Sequence, residues 1–173
     1  MILELLRKRR SIRLYEKRAV EQEKKDVITK AALLSPSSRG IRPWEFIIVE
    51  KKETLERLAL SKASGSAFIK EAPLVIAVIA DTVKSDVTIE DASIATVVIQ
   101  LAAEDLGLGS CWIQIRNRKT GNGNSSEEYV RDVLKIPGNY QVEALIAIGY
   151  PAQTLEGYKD EELLYNKIHT EIY

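Results

Sequence analysis

The segment Thr88–Leu106 constrains the fold more than any other part of the chain, because it is apolar around most of a helical circumference. Glu90 and Asp91 near its start and Glu104 and Asp105 near its end argue against a membrane span. A helix of this kind is buried on several sides, either in a large core or between subunits, and the sequence leaves both options open. Its apolar residues include Ile94, Ala95, Val97, Val98, Ile99, Leu101, Ala102 and Ala103.

The segment Pro73–Ala80 is the second strong constraint, because it is apolar at every position and therefore on both faces of a strand. This pattern predicts a central strand covered by helices on both sides. Together with the other elements it predicts an α+β layered fold with about four strands. The other predicted strands span 44–49, 111–115 and 141–148; helices are expected at 2–9, 21–34, 53–60, 125–134 and, briefly, 161–168, and a loop at 61–71.

Length and composition indicate one globular domain spanning residues 1–173, with a C-terminal tail from about 151 that has little core of its own. Lys and Arg together number 25, as do Asp and Glu, so no net charge steers the chain to nucleic acid or to anionic lipid. The single cysteine, Cys111, excludes an intramolecular disulfide. With no signal peptide recognised at the start, we expect a cytoplasmic protein.

A cationic run follows the first predicted helix. It reads Arg9-Arg10-Ser11-Ile12-Arg13-Leu14-Tyr15 and contains no acid. Arginine binds phosphate oxygens through two parallel hydrogen bonds, and a serine hydroxyl adds a donor, so the run is a candidate phosphate site. The alternatives are a solvated helix end, whose cations favour the helix dipole, and a small nucleic-acid contact.

A second run, Ser35-Pro36-Ser37-Ser38-Arg39-Gly40-Ile41-Arg42-Pro43-Trp44-Glu45-Phe46, leads from small residues directly into an aromatic strand. Small side chains allow a flat ring to lie against the backbone. The alternative is structural: Pro36 ends a helix, the serines fill a turn, and Trp44 and Phe46 belong to the core. A flat ring with a phosphate tail would use both runs, and a flavin has both parts.

Other chemistry finds little support in the chain. Gly107-Leu108-Gly109 lacks the third glycine of a dinucleotide fingerprint and follows a helix instead of a strand. His169 is the only histidine, no metal-ligand spacing occurs, and Cys111 fits a packed thiol better than a nucleophile. We therefore assign no catalytic side chain and no metal site, and we expect a cofactor to carry any chemistry.

Taken in order, these segments resemble the nitroreductase family of FMN-dependent oxidoreductases in one of its shorter forms. Two further segments add to the resemblance, Gly107-Leu108-Gly109-Ser110-Cys111-Trp112-Ile113 and Ala147-Ile148-Gly149-Tyr150-Pro151. The resemblance covers nearly the whole chain. It implies a three-layer fold with a central, mostly antiparallel sheet flanked by helices, in a domain-swapped homodimer with two FMN sites at its interface.

Carried over by position, the resemblance also implies roles for individual residues. Arg9, Ser11 and Arg13 would hold the phosphate and ribityl chain, with Arg10 contributing its backbone. The ring would lie along Pro36, Ser37, Ser38 and Gly40 of the other subunit. The backbone around Trp112, Ile113 and Gln114 would face the pyrimidine and N5 side of the ring.

Two departures from the family pattern concern the same site. Gln114 and Ile115 stand where many members have two glycines, so their side chains would narrow the pocket or contact the flavin edge. Longer members place a Lys-x-Arg pair on the phosphate from the C-terminal region. Here the tail has only Lys159, Lys167 and His169, and the sequence assigns none of them.

The resemblance predicts that NADH or NADPH reduces FMN, which then reduces a small electron-poor aromatic acceptor such as a nitroaromatic or a quinone. A second hypothesis is that the protein uses bound flavin for reductive dehalogenation or consumes flavin as a substrate. A third is a binding module without activity, for flavin or nucleic acid. Neither the natural acceptor, the preferred nucleotide nor a redox role for Cys111 can be read from the residues.

Overall fold

A four-stranded antiparallel sheet forms the centre of the protein, in a computed structural model that describes residues 1–173. The strand order is β1-β2-β4-β3, so β2 and β4 are central and β1 and β3 are the edges. The strands are β1 (Trp44–Val49), β2 (Leu74–Asp81), β3 (Gly109–Gln114) and β4 (Tyr140–Gly149); the helices are α1 (Ile2–Lys8), α2 (Gln22–Leu33), α3 (Lys52–Leu58), α4 (Thr88–Asp105) and α5 (Ser126–Leu134).

The side chains of β2 alternate between two separate cores. Leu74, Ile76 and Val78 pack with α2 and α4, whereas Val75 and Ala77 pack with α3 and α5 on the opposite face. Every residue of β2 is buried. The predicted central strand and the three-layer α+β fold are therefore confirmed.

Helix α4 is covered on the sides that face α2 and the sheet but not on its third side. Ala92, Ala95, Ile99 and Ala103 are fully buried. Ile94 and Val97 are 42% and 44% exposed, which leaves an apolar stripe uncovered near the middle of the helix. The helix ends at Asp105, and Gly107 follows as the predicted cap, with a φ of +72°, the left-handed conformation that glycine adopts without steric cost. None of the helices combines the length and hydropathy that crossing a bilayer requires.

Two local predictions were wrong. The predicted loop at 61–71 contains a 3-10 turn, Ala67–Glu71, because Ile69 is fully buried and draws this segment onto the core. The predicted tail helix is absent: the tail forms only two 3-10 turns, Asp160–Glu162 and Tyr165–Lys167. Short helices depend on packing of an apolar face, and Ile168 in the tail is exposed.

Candidate cofactor site

The cationic run 9–13 leaves α1 and crosses to the edge of the sheet. Helix α1 ends at Lys8, and Ser11 forms a parallel bridge with Ser110 at the start of β3. The Ile12 amide donates to the Ser110 carbonyl at 3.0 Å, and the Ile12 side chain is buried against Gly109. Because Ile12 is anchored, the residues on either side of it stay at the surface beside β3.

The charges of this run act on the buried thiol of Cys111. Burial raises the pKa of the Cys111 thiol, and the Arg13 charge, contact with Ser11 and the charges of Arg9 and Lys62 oppose that rise. Arg9 has no carboxylate within 4.0 Å, and the Arg13 guanidinium donates only to the carbonyl of Ser11, at 3.4 Å. Two guanidinium groups without an ion-pair partner next to one hydroxyl form a site suited to an oxyanion.

The Arg10 side chain takes a different direction from those of Arg9 and Arg13. Its guanidinium donates to the Glu156 carbonyl and lies 4.9 Å from the centre of the Tyr158 ring. Arg10 thus joins the run to the beginning of the C-terminal tail. Only its backbone remains close to the other residues of the candidate site.

The loop 35–42 is fixed by hydrogen bonds at the N-terminal end of α4. The Ser38 amide donates to Asp91 Oδ1 at 2.8 Å, and the Arg42 amide donates to Ser37 Oγ at 2.8 Å. Arg39 forms an ion pair with Asp86. Gly40 adopts a φ of +67°, and Pro36 is exposed. The loop therefore presents small side chains to solvent from a constrained backbone.

The two predicted parts of the site lie at opposite ends of α4 within one chain. The loop contacts Asp91 in the first turn of α4. The charges of Arg9 and Lys8 act on Glu104 in the last turn: burial raises the pKa of Glu104, and these two charges oppose that rise. Asp91 and Glu104 are thirteen positions apart, which corresponds to about 20 Å at the rise of an α-helix. One chain alone does not bring the run 9–13 and the loop 35–42 together.

The end of β3 combines an open backbone edge with a buried polar network. Ser110 accepts from Ile12 on the side away from β4, and strand alternation puts the backbone groups of Trp112 and Gln114 on that same open edge. The Ile113 side chain is buried in the core.

The Gln114 side chain is held by three hydrogen bonds. Its Nε2 donates to Glu143 at 3.1 Å and to the Arg116 carbonyl at 3.3 Å, and its Oε1 accepts from Trp112 Nε1 at 2.9 Å. Arg116 Nε pairs with the other Glu143 oxygen at 2.9 Å. Since an indole nitrogen only donates and a carboxylate only accepts, the orientation of the Gln114 amide is determined. The glutamine that replaces a glycine here is thus an ordered part of the strand end.

Sequence reasoning missed three polar residues, Asp91, Glu143 and Lys62. Asp91 and Glu143 are almost fully buried, and each holds a predicted segment in place. Lys62 lies in a segment of small and polar residues, which by itself predicts only a loop. No local pattern marks such residues, because their partners are distant in the chain. The tail residues Lys159, Lys167 and His169 form no hydrogen bond or ion pair with the run 9–13 in this chain.

Fold and site together define a three-layer α+β protein with two arginines that lack an ion-pair partner next to the edge of its sheet. The model of the Nitroreductase family matches residues 6–65 and 59–150. An Archaeoglobus fulgidus protein, provisionally named NADH dehydrogenase/NAD(P)H nitroreductase, is 34% identical, with 98% of this chain and 97% of that protein covered. The chain belongs to the nitroreductase family, which confirms the predicted family and oxidoreductase class.

Two further relatives bear on the chemistry. The structure of an FMN-dependent nitroreductase from Clostridium difficile R20291 is 50% identical, with a TM-score of 0.97 and 99% of each chain covered. An iodotyrosine deiodinase from Thermotoga neapolitana is 23% identical over 95% of this chain and 96% of its own length. The first name agrees with the predicted cofactor, and the second with the dehalogenation alternative.

Proposed function

We propose that this protein binds FMN and transfers reducing equivalents from NADH or NADPH to a small electron-poor acceptor, such as a nitroaromatic or a quinone. The observation that carries the proposal is the pair of arginines, Arg9 and Arg13, which have no ion-pair partner and lie with Ser11 beside the open edge of β3. Membership in the nitroreductase family supplies the reaction class.

The residues of this edge fit the phosphate and ribityl chain of FMN. Arg9 and Arg13 provide cationic donors, Ser11 a hydroxyl, and Arg10 a backbone contact, since its side chain is occupied by Glu156 and Tyr158. Open backbone groups at Trp112 and Gln114 would hydrogen-bond the polar edge of the ring. When bound, FMN would supply the redox chemistry, which is hydride transfer between the nucleotide and the acceptor.

We further propose that the complete site forms between two copies of the chain. Within one chain the loop 35–42 is about 20 Å from the end of α4 that carries the run 9–13. A two-fold axis near Val97, midway along α4, would bring the loop of each copy to the cationic run of the other. Pro36, Ser37, Ser38 and Gly40 would then lie along the flavin ring from the second subunit.

The exposed apolar surface supports this assembly. Ile94 and Val97 on α4 and Trp112 on β3 line a hollow at the proposed axis, and Ile2, Leu3 and Leu6 leave the nearby helix α1 uncovered. Exposed apolar clusters of this kind are typical of protein–protein interfaces. The tail from 151 exposes a further group of apolar residues, Leu163, Leu164, Tyr165, Ile168 and Ile172, which supports its exchange onto the partner.

The visible spectrum of the purified protein tests the proposed function. We expect flavin absorption bands that bleach when NADH or NADPH is added and return when a quinone is added under anaerobic conditions. A protein that is colourless and takes up no added FMN would refute the proposal. Reoxidation by an iodinated phenol, but not by a quinone or a nitroaromatic, would instead support the dehalogenation alternative favoured by the resemblance to iodotyrosine deiodinase.

A further inference from the structure

Glu143 is a buried carboxylate in an otherwise apolar stretch of β4. It is 3% exposed, and its neighbours Val142 and Ala144 are fully buried. Burial of a carboxylate is unfavourable unless the group is paired and hydrogen-bonded. The partners that stabilise the Glu143 carboxylate therefore indicate the role of this residue.

A β-bulge places Glu143 outside the regular pairing of the sheet. Along β4, Ala144 pairs with Val78 and Val142 pairs with Ile79, so Glu143 is an extra residue without a partner on β2. A bulge changes the direction of a side chain and is common next to functional sites. Here it allows the Glu143 carboxylate to reach the Gln114 side chain at the end of β3.

Four hydrogen bonds join Glu143 to the residues at the end of β3. Its carbonyl accepts from the amides of Ile115 and Arg116, at 3.1 and 3.2 Å. Its carboxylate accepts from Gln114 Nε2 at 3.1 Å through one oxygen and from Arg116 Nε at 2.9 Å through the other. Glu143 thus holds both the backbone and the side chains of residues 114–116.

Gln114 extends this network to Trp112. Its Oε1 accepts from Trp112 Nε1 at 2.9 Å, and the Trp112 ring lines the hollow next to α4 where we place the second copy of the chain. As residues two positions apart in a strand, Trp112 and Gln114 project from the same face of the sheet. Their backbone groups form the open edge of β3 to which we assign the polar edge of the flavin ring.

We propose that Glu143 is a positioning residue for the flavin. It acts through Gln114, whose fixed side chain keeps the backbone groups of Trp112 and Gln114 in one orientation before the cofactor binds. Hydrogen-bonding groups that are already ordered bind a ligand more tightly than groups that must be ordered on binding. The role towards the flavin rests on the proposed function, whereas the network rests on hydrogen bonds within this chain.

An exchange of donor and acceptor within the network tests this role. Gln114→Glu sets two carboxylates against each other, and Glu143→Gln sets an NH2 group against either Gln114 Nε2 or Arg116 Nε. Each single variant should weaken FMN binding by about 2- to 12-fold, the range for loss of one hydrogen bond. In the double variant every one of these donors again has an acceptor, so it should recover most of the wild-type affinity.

The measurement is fluorescence titration of the flavin-depleted proteins with FMN. Glu50→Gln is the matched control, because it makes the same change in an ion pair with Lys25, just after β1 at the opposite edge of the sheet. It should leave FMN affinity unchanged. If a single exchange variant does not fold, Gln114→Ala, which keeps the pair of Glu143 and Arg116, should show the same loss of affinity.

The rescue by the double variant separates a positioning role from general destabilisation. FMN affinities equal to wild type in the single variants, or a double variant that binds FMN more weakly than both of them, would overturn the positioning role and leave the proposed function standing. Wild-type protein that binds no FMN would instead refute the proposed function, and the positioning role with it.

Discussion

Replacing Arg9 with alanine should weaken FMN binding by about 10- to 150-fold. The guanidinium of Arg9 has no carboxylate within 4.0 Å, so its hydrogen-bonding capacity is available to a phosphate. A hydrogen bond between charged groups contributes about 1.5–3 kcal/mol, and this range gives the expected loss in affinity. Arg9 is half-buried at the end of α1, and its substitution leaves the buried Ile12 anchor unchanged.

The assay is a titration of flavin-depleted protein with FMN, in which the quenching of flavin fluorescence measures binding. Arg7→Ala is the matched control: it removes one positive charge from the same helix, but Arg7 is already paired with Asp160. The difference between the two variants should shrink as salt is added, because partly exposed charges are screened. Equal affinity of Arg9→Ala and wild type, or an equal loss in Arg7→Ala, would refute the assignment of the phosphate to Arg9.

Three other substitutions test the fold and the assembly. Val97→Asp puts a charge on the exposed stripe of α4 and should yield a monomer without flavin by size-exclusion chromatography; a flavin-containing dimer would contradict the proposed axis. Gly109→Ala places a Cβ 2.7 Å from Ile12 and should destabilise the protein by about 1–3 kcal/mol in urea denaturation, whereas Gly138→Ala, which meets no atom within 4 Å, should not. The Tyr150 hydroxyl donates to Glu21 and lowers the pKa of this carboxyl to about 2. The ionised Glu21 carboxylate therefore contributes to stability above the usual pKa of 4.5, and this contribution is lost as the pH falls towards 2. In Glu21→Gln the acid-dependent loss of stability in this range should be smaller; an unchanged pH profile would contradict the assignment.

The sequence predicted those elements whose residues carry a strong local pattern. Strand β1 has the predicted bounds, because a run of aromatic and β-branched residues is favourable only in an extended, half-buried strand. Helix α4 was predicted to within one residue, since its apolar character and Gly107 define both its body and its end. The capping of α5 by Ser125, whose hydroxyl accepts from the Glu128 amide at 3.3 Å, follows from a local motif in the same way.

The parts that were not predicted depend on contacts between distant segments. Ile69 was assigned to a loop because small and polar side chains dominate the segment 61–71, and only the folded core explains its burial. Asp91 accepts a hydrogen bond from the Ser38 amide, which is 53 residues away in the chain. Lys62 lines a cavity that several distant segments form together. The sequence also does not reveal that the run 9–13 and the loop 35–42 lie at opposite ends of α4. This separation favours a site shared by two chains.

Native mass spectrometry of the purified protein tests the central claim most directly, because it reports assembly and cofactor content together. We expect a species of twice the 19.4 kDa chain mass that carries two FMN molecules, and we expect the flavin to be released when the dimer dissociates. A monomer that retains one FMN would contradict the proposal that the site is completed by the loop 35–42 of a second chain.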